Sequence, residues 1–320
     1  MMKKAVLLVL LVLVVSLLRA QPKETLIVLN KSGNTLVFVD PAGMKVLKTL
    51  STGDGPHEVA ISGDNKLAYV SNYGSQQGGN SIDVFDIPGQ VFVKRIDVGA
   101  LQRPHGLFEK AGKLYFTCEG SKLVARYDHQ SGKIDWKAET GQQATHMIVV
   151  TPDGERLYTA NIQSNSVSVI EVANPAKNSI VPVEPKPEGI DISPDGKLVW
   201  VGHNDDGSIS EIETAGNKVT GTFKIGKMPI RVKFAPNQQF ALAVDNAGEE
   251  LIMIDIRTHA VLRRLKLDGS PVGMVISKDS KYVYVSRTRQ NRVSKIDLGK
   301  FEVAASVETG SNPDGINLAY

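Results

Sequence analysis

The chain has 320 residues, of which 42% are hydrophobic, 37 are basic and 34 are acidic. This length can bury a large core, and the near balance of charge argues against the basic footprint that nucleic-acid binding needs. A single cysteine, Cys118, excludes an internal disulfide bond.

The first predicted element is a secretory signal peptide over residues 1–20. Lys3 and Lys4 precede an apolar run over 5–18, and Ala20 offers a small residue for cleavage. The run is short for a membrane span, so we expect cleavage near Ala20 and export to the periplasm or the cell exterior. An uncleaved membrane anchor is the alternative. Cleavage leaves 34 basic residues against 34 acidic ones.

The remaining residues, 21–320, are built from a sequence repeat of about 43 residues. Each unit opens on a glycine or its equivalent, at Gly53, Gly99, Gly141, Glu184, Gly226, Gly269 and Gly310. Apolar and polar residues alternate in four short stretches per unit, and turn sequences such as TPDG at 151 separate them, which predicts four strands. The sequence therefore predicts an all-β fold, a single-domain β-propeller of seven four-stranded blades.

The two ends of the repeat region are expected to complete one blade together. Residues 25–53 hold the second, third and fourth strands of a unit, whereas NPDGINLAY at 312–320 reads as a first strand with nothing after it. We therefore predict that the C-terminal strand closes the first blade, which leaves no free strand edge and favours a monomer.

Three strand sequences carry a resemblance to a known family. YVSN at 69, YTAN at 158 and YVSR at 284 resemble the motif of the YVTN family of bacterial β-propeller repeat proteins, the YncE-like group. The resemblance covers residues 24–320. It implies an exported or cell-surface protein whose propeller is related to those of nitrous oxide reductase and methylamine dehydrogenase. It implies little about activity, because one fold hosts many functions.

The start of each first strand is expected to line one mouth of the central channel. The residues at this position, in spatial order, are Asp314, His57, His105, His146, Glu188, Ile230 and Val272. A second ring at the end of each second strand is Asn30, Asn72, Cys118, Asn161, His203, Asp245 and Arg287. From both rings we predict as ligand-binding residues His57, His105, His146, His203, Glu188, Asp314, Asn72, Asn161, Asp245 and Arg287.

Three interpretations of the histidines stay open at this point. One is a transition-metal site for zinc, copper, iron or nickel, formed by His57, His105 and His146 with Glu188 or Asp314 as a fourth ligand. Another is a polar channel mouth whose histidines bond to water and carboxylates. The third is a set of acid, base or ligand-binding groups without metal. Cys118 is a soft ligand or a reactive thiol beside His105, or else a small, partly buried residue at a strand end.

The function predicted from these features is non-catalytic. We expect an exported propeller that binds an unidentified protein or small molecule at the mouth lined by His57, His105 and His146, without nucleic acid and without a membrane span after cleavage. The alternative is a metal-binding protein or a metal-dependent enzyme at the same residues. The enzyme would be a lyase or hydrolase, with His203 or Glu188 transferring protons.

Overall fold

The strands of the computed structural model, which describes residues 24–320, form seven antiparallel sheets of four strands each. This confirms the predicted seven-bladed β-propeller and its four-stranded blades. The predicted signal peptide over 1–20 lies outside the described residues. Among residues 24–320, no helix is long and apolar enough to cross a membrane.

Blade 1 joins the two ends of the described chain. Its strands are β1 (Thr25–Asn30), β2 (Thr35–Asp40) and β3 (Lys45–Ser51), together with the C-terminal strand β28 (Pro313–Ala319). The sheet order is β28-β1-β2-β3, with β28 innermost and antiparallel to β1. The predicted closure of the ring is therefore confirmed.

The other six blades each take four strands in chain order. The strands of blades 2 to 4 are β4 (Pro56–Ile61), β5 (Leu67–Asn72), β6 (Ser81–Asp86), β7 (Val91–Asp97), β8 (Pro104–Lys110), β9 (Lys113–Cys118), β10 (Leu123–Asp128), β11 (Lys133–Glu139), β12 (Thr145–Val150), β13 (Arg156–Asn161), β14 (Ser166–Glu171) and β15 (Asn174–Pro182).

The strands of blades 5 to 7 are β16 (Pro187–Ile192), β17 (Leu198–His203), β18 (Ser208–Glu213), β19 (Lys218–Lys224), β20 (Pro229–Phe234), β21 (Phe240–Asp245), β22 (Glu250–Asp255), β23 (Val261–Lys266), β24 (Pro271–Ile276), β25 (Tyr282–Arg287), β26 (Arg292–Asp297) and β27 (Glu302–Glu308). Single 3-10 turns follow the second strand in three blades, at Glu119–Ser121, Ile162–Ser164 and Thr288–Gln290.

The core lies between neighbouring blades. The second and third strands are buried on both faces, whereas fourth strands such as β3 are largely exposed. One of these inter-blade clusters joins Ile27 and Phe38 of blade 1 to Val70 and Phe85 of blade 2. Burial of side chains of this size stabilises the fold by about 1.5–3 kcal/mol each, so the apolar alternation of the repeat holds each blade to the next.

A β-bulge near the start of each first strand shapes the channel mouth. In β4, Pro56 pairs with Asn72 and Val59 pairs with Val70, so His57 and Glu58 lie opposite a single residue of β5. The same register shift recurs in the first strands of the other blades. Because a bulge re-aims the side chains of its strand, this feature places two consecutive residues per blade at the mouth.

The second bulge residue of blade 7 leaves no room for a side chain. A Cβ atom at Gly273 would lie 2.0 Å from the carbonyl oxygen of Asp314 in β28. We expect Gly273→Ala to lower the free energy of unfolding by at least about 2 kcal/mol, since the backbone of blade 1 must shift. The matched control is Gly221→Ala in β19, where a Cβ meets nothing within 4 Å. Urea unfolding of the two variants measures the difference, and equal stabilities would contradict the expectation.

Candidate functional site

The predicted channel-mouth residues of five adjacent blades come together in the structure. His57 and His105 have ring centroids 4.2 Å apart, those of His105 and His146 are 3.7 Å apart, and Glu188 and Asp314 lie beside the outer two rings. We call the cluster the histidine site and define it by His57, Glu58, His105, Glu119, His146, Glu188, Arg231 and Asp314. Each side chain comes from a bulge or from the loop after a second strand, so the blades converge on one point.

His105 stands at the centre of this site, between the rings of His57 and His146. It is 1% exposed, and neither ring nitrogen has a hydrogen-bond partner among the described residues. Burial, followed by the charge of His146, lowers the pKa of His105 well below its ordinary value, so the ring is neutral. A buried polar atom left unpaired costs about 1–3 kcal/mol, so a ligand or a water molecule that pairs with the ring stabilises the site.

His146 is held between two carboxylates. Its Nδ1 contacts Glu119 Oε1, and its Nε2 lies 3.8 Å from Glu188 Oε1. Burial alone would lower the pKa of His146, but the two carboxylates outweigh it and raise the pKa to about 9. The imidazole is therefore protonated at neutral pH. Glu119 also accepts a hydrogen bond of 2.5 Å from the Tyr73 hydroxyl, and burial with this carboxylate raises the pKa of Tyr73 to about 12.

His57 faces the carboxylate of the C-terminal strand. Its Nδ1 lies 3.0 Å from Asp314 Oδ2, and Lys31 Nζ lies 3.7 Å from the same oxygen. Burial would raise the pKa of Asp314, but His57, Arg231 and Lys31 hold it well below the ordinary range. Asp314 is therefore ionised, and its negative charge lies beside the His57 ring.

Arg231 is a central residue that the sequence interpretation did not single out. It is the second bulge residue of β20, its side chain is 7% exposed, and it contacts Glu58 Oε1 directly. Its guanidinium also lies 3.8 Å from Glu188 Oε1 and 3.9 Å from Asp314 Oδ1. A cavity of about 360 Å³ in the channel is lined by Glu58 and Arg231 but by none of the three histidines. The Glu58–Arg231 ion pair therefore lies between the histidine site and this cavity.

Three further side chains around the site were not predicted from the repeat register. Glu119 and Tyr73 lie just after second strands, and Asn204, after β17, donates a hydrogen bond to Glu188 Oε2. The signal for Glu58 and Arg231 was present in the sequence, since they are the two charged residues among the seven that follow the first-ring position. Loop residues offered no comparable register.

Four predicted residues of the second ring make their contacts inside their own blade or its entry loop. The hydrogen bonds are Asn72 Nδ2 to Ser81 Oγ (3.0 Å), Asn161 Nδ2 to Ser168 Oγ (2.9 Å), the Met228 amide to Asp245 Oδ1 (2.8 Å) and Arg287 Nε to the Asp268 carbonyl (2.6 Å). These contacts hold strands and loops in place. Ligand binding by these residues stays a prediction.

Cys118 of the second ring is a buried core residue. It packs with Phe116 and Leu123 among others, and burial raises the pKa of its thiol to about 12. The sulfur is therefore protonated at neutral pH. Because the thiolate is the nucleophile and the metal ligand, the described environment favours the small-buried-residue interpretation.

His203, the remaining predicted residue, gives a test by pH. It is fully buried, its Nε2 lies 2.8 Å from Ser210 Oγ, and burial lowers its pKa to about 4. Between pH 6.5 and pH 4 the His203 imidazole is protonated in the unfolded chain but neutral in the folded chain. The free energy of unfolding therefore falls as pH drops from 6.5 towards 4, by roughly 3 kcal/mol in all.

The matched variant for this test is His203→Asn, because Asn72 and Asn161 occupy the same register position. Urea unfolding at pH 7 and pH 4.5 is expected to show that the variant loses about 2 kcal/mol less stability than the wild type over this interval. Equal losses would contradict the assignment of this proton to His203.

The fold and its channel-mouth cluster define a β-propeller with a candidate ligand site. Similarity to known proteins identifies the family of this propeller. The sequence profile described as a YNCE-like beta-propeller matches residues 16–278, and the chain belongs to that family. A seven-bladed beta-propeller protein of Mycobacterium tuberculosis is 31% identical over 125 residues, which is 38% of this chain and 30% of that protein. The match thus spans less than a third of that relative.

Two solved structures show the same fold at low sequence identity. One, a candidate 6-phosphogluconolactonase from Bacteroides fragilis, is 14% identical with a TM-score of 0.74, over 94% of this chain and 99% of that one. The other, the dihydro-heme d1 dehydrogenase NirN with a bound ligand, is 12% identical with a TM-score of 0.68, over 94% and 76% of the respective chains. These likenesses concern the fold alone.

Proposed function

We propose that this propeller is a binding protein and that the ligand of its histidine site is a divalent transition-metal cation. The observation that carries the proposal is His105, whose two ring nitrogens are buried and without a partner among the described residues. A neutral buried imidazole of this kind is ready to bind a metal without first losing a ring proton to water.

The donors around His105 suit such an ion. Ligand atoms of His105, Glu119 and His146 all lie within 4.8 Å of one another. Imidazole nitrogens with a carboxylate oxygen are ligands that zinc, copper, iron and nickel accept. Glu188 lies outside this group, since it contacts Asn204 and lies near Arg231. A bound ion would displace one ring proton of His146 to solvent and replace the present His146–Glu119 contact.

The charge of the site favours a cation over an anion. Its carboxylates are Glu58, Glu119, Glu188 and Asp314, and the last three have lowered pKa values because neighbouring histidines and cations outweigh their burial. The positive groups close to them are Arg231, Lys31 and the protonated His146. Four negative groups thus face three positive ones. When His146 releases a ring proton to bind the ion, the excess becomes two negative charges, which a divalent cation balances.

The test is the metal content and metal affinity of the mature protein, purified without a histidine tag. We expect Zn²⁺ or Cu²⁺ to bind, and His105→Ala to weaken binding at least about 100-fold, since loss of an outer-shell partner alone costs about 10–100-fold and His105 is a ligand. His203→Asn is the matched control, since it removes a buried histidine outside the histidine site. No binding of zinc, copper, nickel or iron to the wild type would overturn the proposal, and unchanged affinity in His105→Ala would do so as well.

We further propose that the protein acts after export. The support is the basic pair Lys3 and Lys4, the apolar run over 5–18 and Ala20. N-terminal sequencing of protein recovered from the periplasm or the medium is expected to begin near residue 21, and an intact N-terminus in the cytoplasm would contradict export. The lyase or hydrolase alternative stays a prediction.

A further inference from the structure

Building on the proposed metal-binding function, we propose that the histidine site holds a second cation, bound by His57, Glu58 and His105. The ring of His105 then lies between two ions and binds one through each nitrogen. The site is in this way a two-metal centre formed by blades 2, 3 and 4.

The second group of donors is a separate feature of the structure. Ligand atoms of His57, Glu58 and His105 lie within 4.8 Å of one another, as do those of His105, Glu119 and His146. The two groups share His105 alone. The ring centroids of His57 and His146 are 6.5 Å apart, so the outer histidines stand on either side of the shared ring.

The state of His105 favours occupation of both groups. Both of its nitrogens are buried and unpaired within residues 24–320. One ion would satisfy one nitrogen and leave the other a buried polar atom without a partner, whereas two ions satisfy both. An imidazole with a metal on each nitrogen carries no N–H, so binding of the second ion releases the ring proton to solvent.

The surroundings of His57 and Glu58 match those of metal ligands. Asp314 Oδ2 lies 3.0 Å from Nδ1 of His57, so the negative charge of this carboxylate stands beside the ring and favours a cation there. Arg231 contacts one oxygen of Glu58, Oε1, through its guanidinium. The proton that His105 releases leaves one further negative charge between the two ions, and this charge partly offsets that of the second ion.

The experiment is a Zn²⁺ titration of the metal-free mature chain, followed by native mass spectrometry and calorimetry. We expect two ions in the wild type and one each in Glu58→Gln and Glu119→Gln. In His105→Ala both sites are expected to weaken at least about 100-fold. Glu109→Gln is the control with two ions, because Glu109 lines the channel but belongs to neither group. Thermal midpoints in chelator check that each variant folds.

Each outcome decides between the two proposals. A single ion in the wild type, or two ions in Glu58→Gln, overturns the second site while the proposed function stands. No ion in the wild type overturns the proposed function itself. Either ion bound to His105→Ala at wild-type affinity overturns the shared ring. Should Glu58→Gln fail to fold, His57→Gln tests the same site and is expected to bind one ion, with two ions again overturning it.

Discussion

Deletion of residues 313–320 is expected to lower the free energy of unfolding more than any single substitution in this protein. These residues include all of β28, the innermost strand of blade 1, which pairs with β1 along its length. The deletion removes the buried side chains of Ile316 and Leu318, each worth about 1.5–3 kcal/mol, together with a ladder of backbone hydrogen bonds. The total approaches the 5–15 kcal/mol that holds a typical domain folded.

The measurement is urea unfolding monitored by circular dichroism. The truncated chain is expected to be largely unfolded at 25 °C or to lose at least about 5 kcal/mol. Deletion of Tyr320 alone is the control, because this residue is 41% exposed and follows the strand. Addition of a peptide of residues 311–320 is expected to restore part of the lost stability. A truncated chain as stable as the wild type would show that blade 1 does not need its inner strand.

The architecture could be predicted from the sequence because the same pattern of strands and turns recurs in every repeat unit. Strand number, blade number and the closure by β28 all follow from a period that recurs through the chain, and the structure has each of them. The same register aligned His57, His105 and His146 before any distance was known. Periodicity thus locates backbone positions, and side chains at equivalent positions follow with them.

The parts of the site that escaped prediction depart from that register. In a regular strand, consecutive side chains point to opposite faces, so Glu58 and Arg231 would point away from the channel mouth that the preceding residue lines. The bulges in β4 and β20 instead place both consecutive residues of each strand at the mouth. Glu119 comes from a 3-10 turn that follows β9. No periodic signal fixes the path of such a turn, so its contact with His146 required the structure.

The backbone of the mouth is held by side chains that do not belong to the histidine site. Ser286 of β25 accepts a hydrogen bond from the Gly273 amide at 2.7 Å and donates one to the Asp314 carbonyl at 2.8 Å. Thr117 of β9 makes the equivalent contacts to the Gly106 amide and the His146 carbonyl. Because these hydroxyls, which lie on second strands, hold the bulged backbone in place, the first-ring side chains are free to differ between blades. This separation allows one scaffold to present a site of varied chemistry.

Substitution of Arg231 by methionine is expected to lower the free energy of unfolding at pH 7 by about 3–5 kcal/mol, the usual effect of removing one partner of a buried ion pair. The change leaves Glu58, Glu188 and Asp314 without their shared cation. The matched control is Lys177→Met, which breaks an exposed pair with Glu171 and is expected to cost less than about 1 kcal/mol. Both are measured by urea unfolding in the presence of chelator.

The pH dependence of the Arg231→Met effect follows from the carboxylates. In the wild type the pKa values of Glu188 and Asp314 are lowered, with Arg231 among the groups that outweigh burial, so their contribution to stability is present above pH 4–5 and is lost as pH falls further. Without Arg231 these pKa values rise, and protonation relieves the repulsion. The difference between variant and wild type is therefore expected to shrink between pH 7 and pH 4.

Metal affinity is expected to change in the opposite direction in the same variant. Arg231 neutralises part of the carboxylate charge, so its removal leaves a more negative site that attracts a divalent cation more strongly. A variant that is less stable in chelator but binds Zn²⁺ more tightly would identify Arg231 as the internal cation that balances the histidine site. A fall in both stability and Zn²⁺ affinity would instead mean that Arg231 holds the ligands in place.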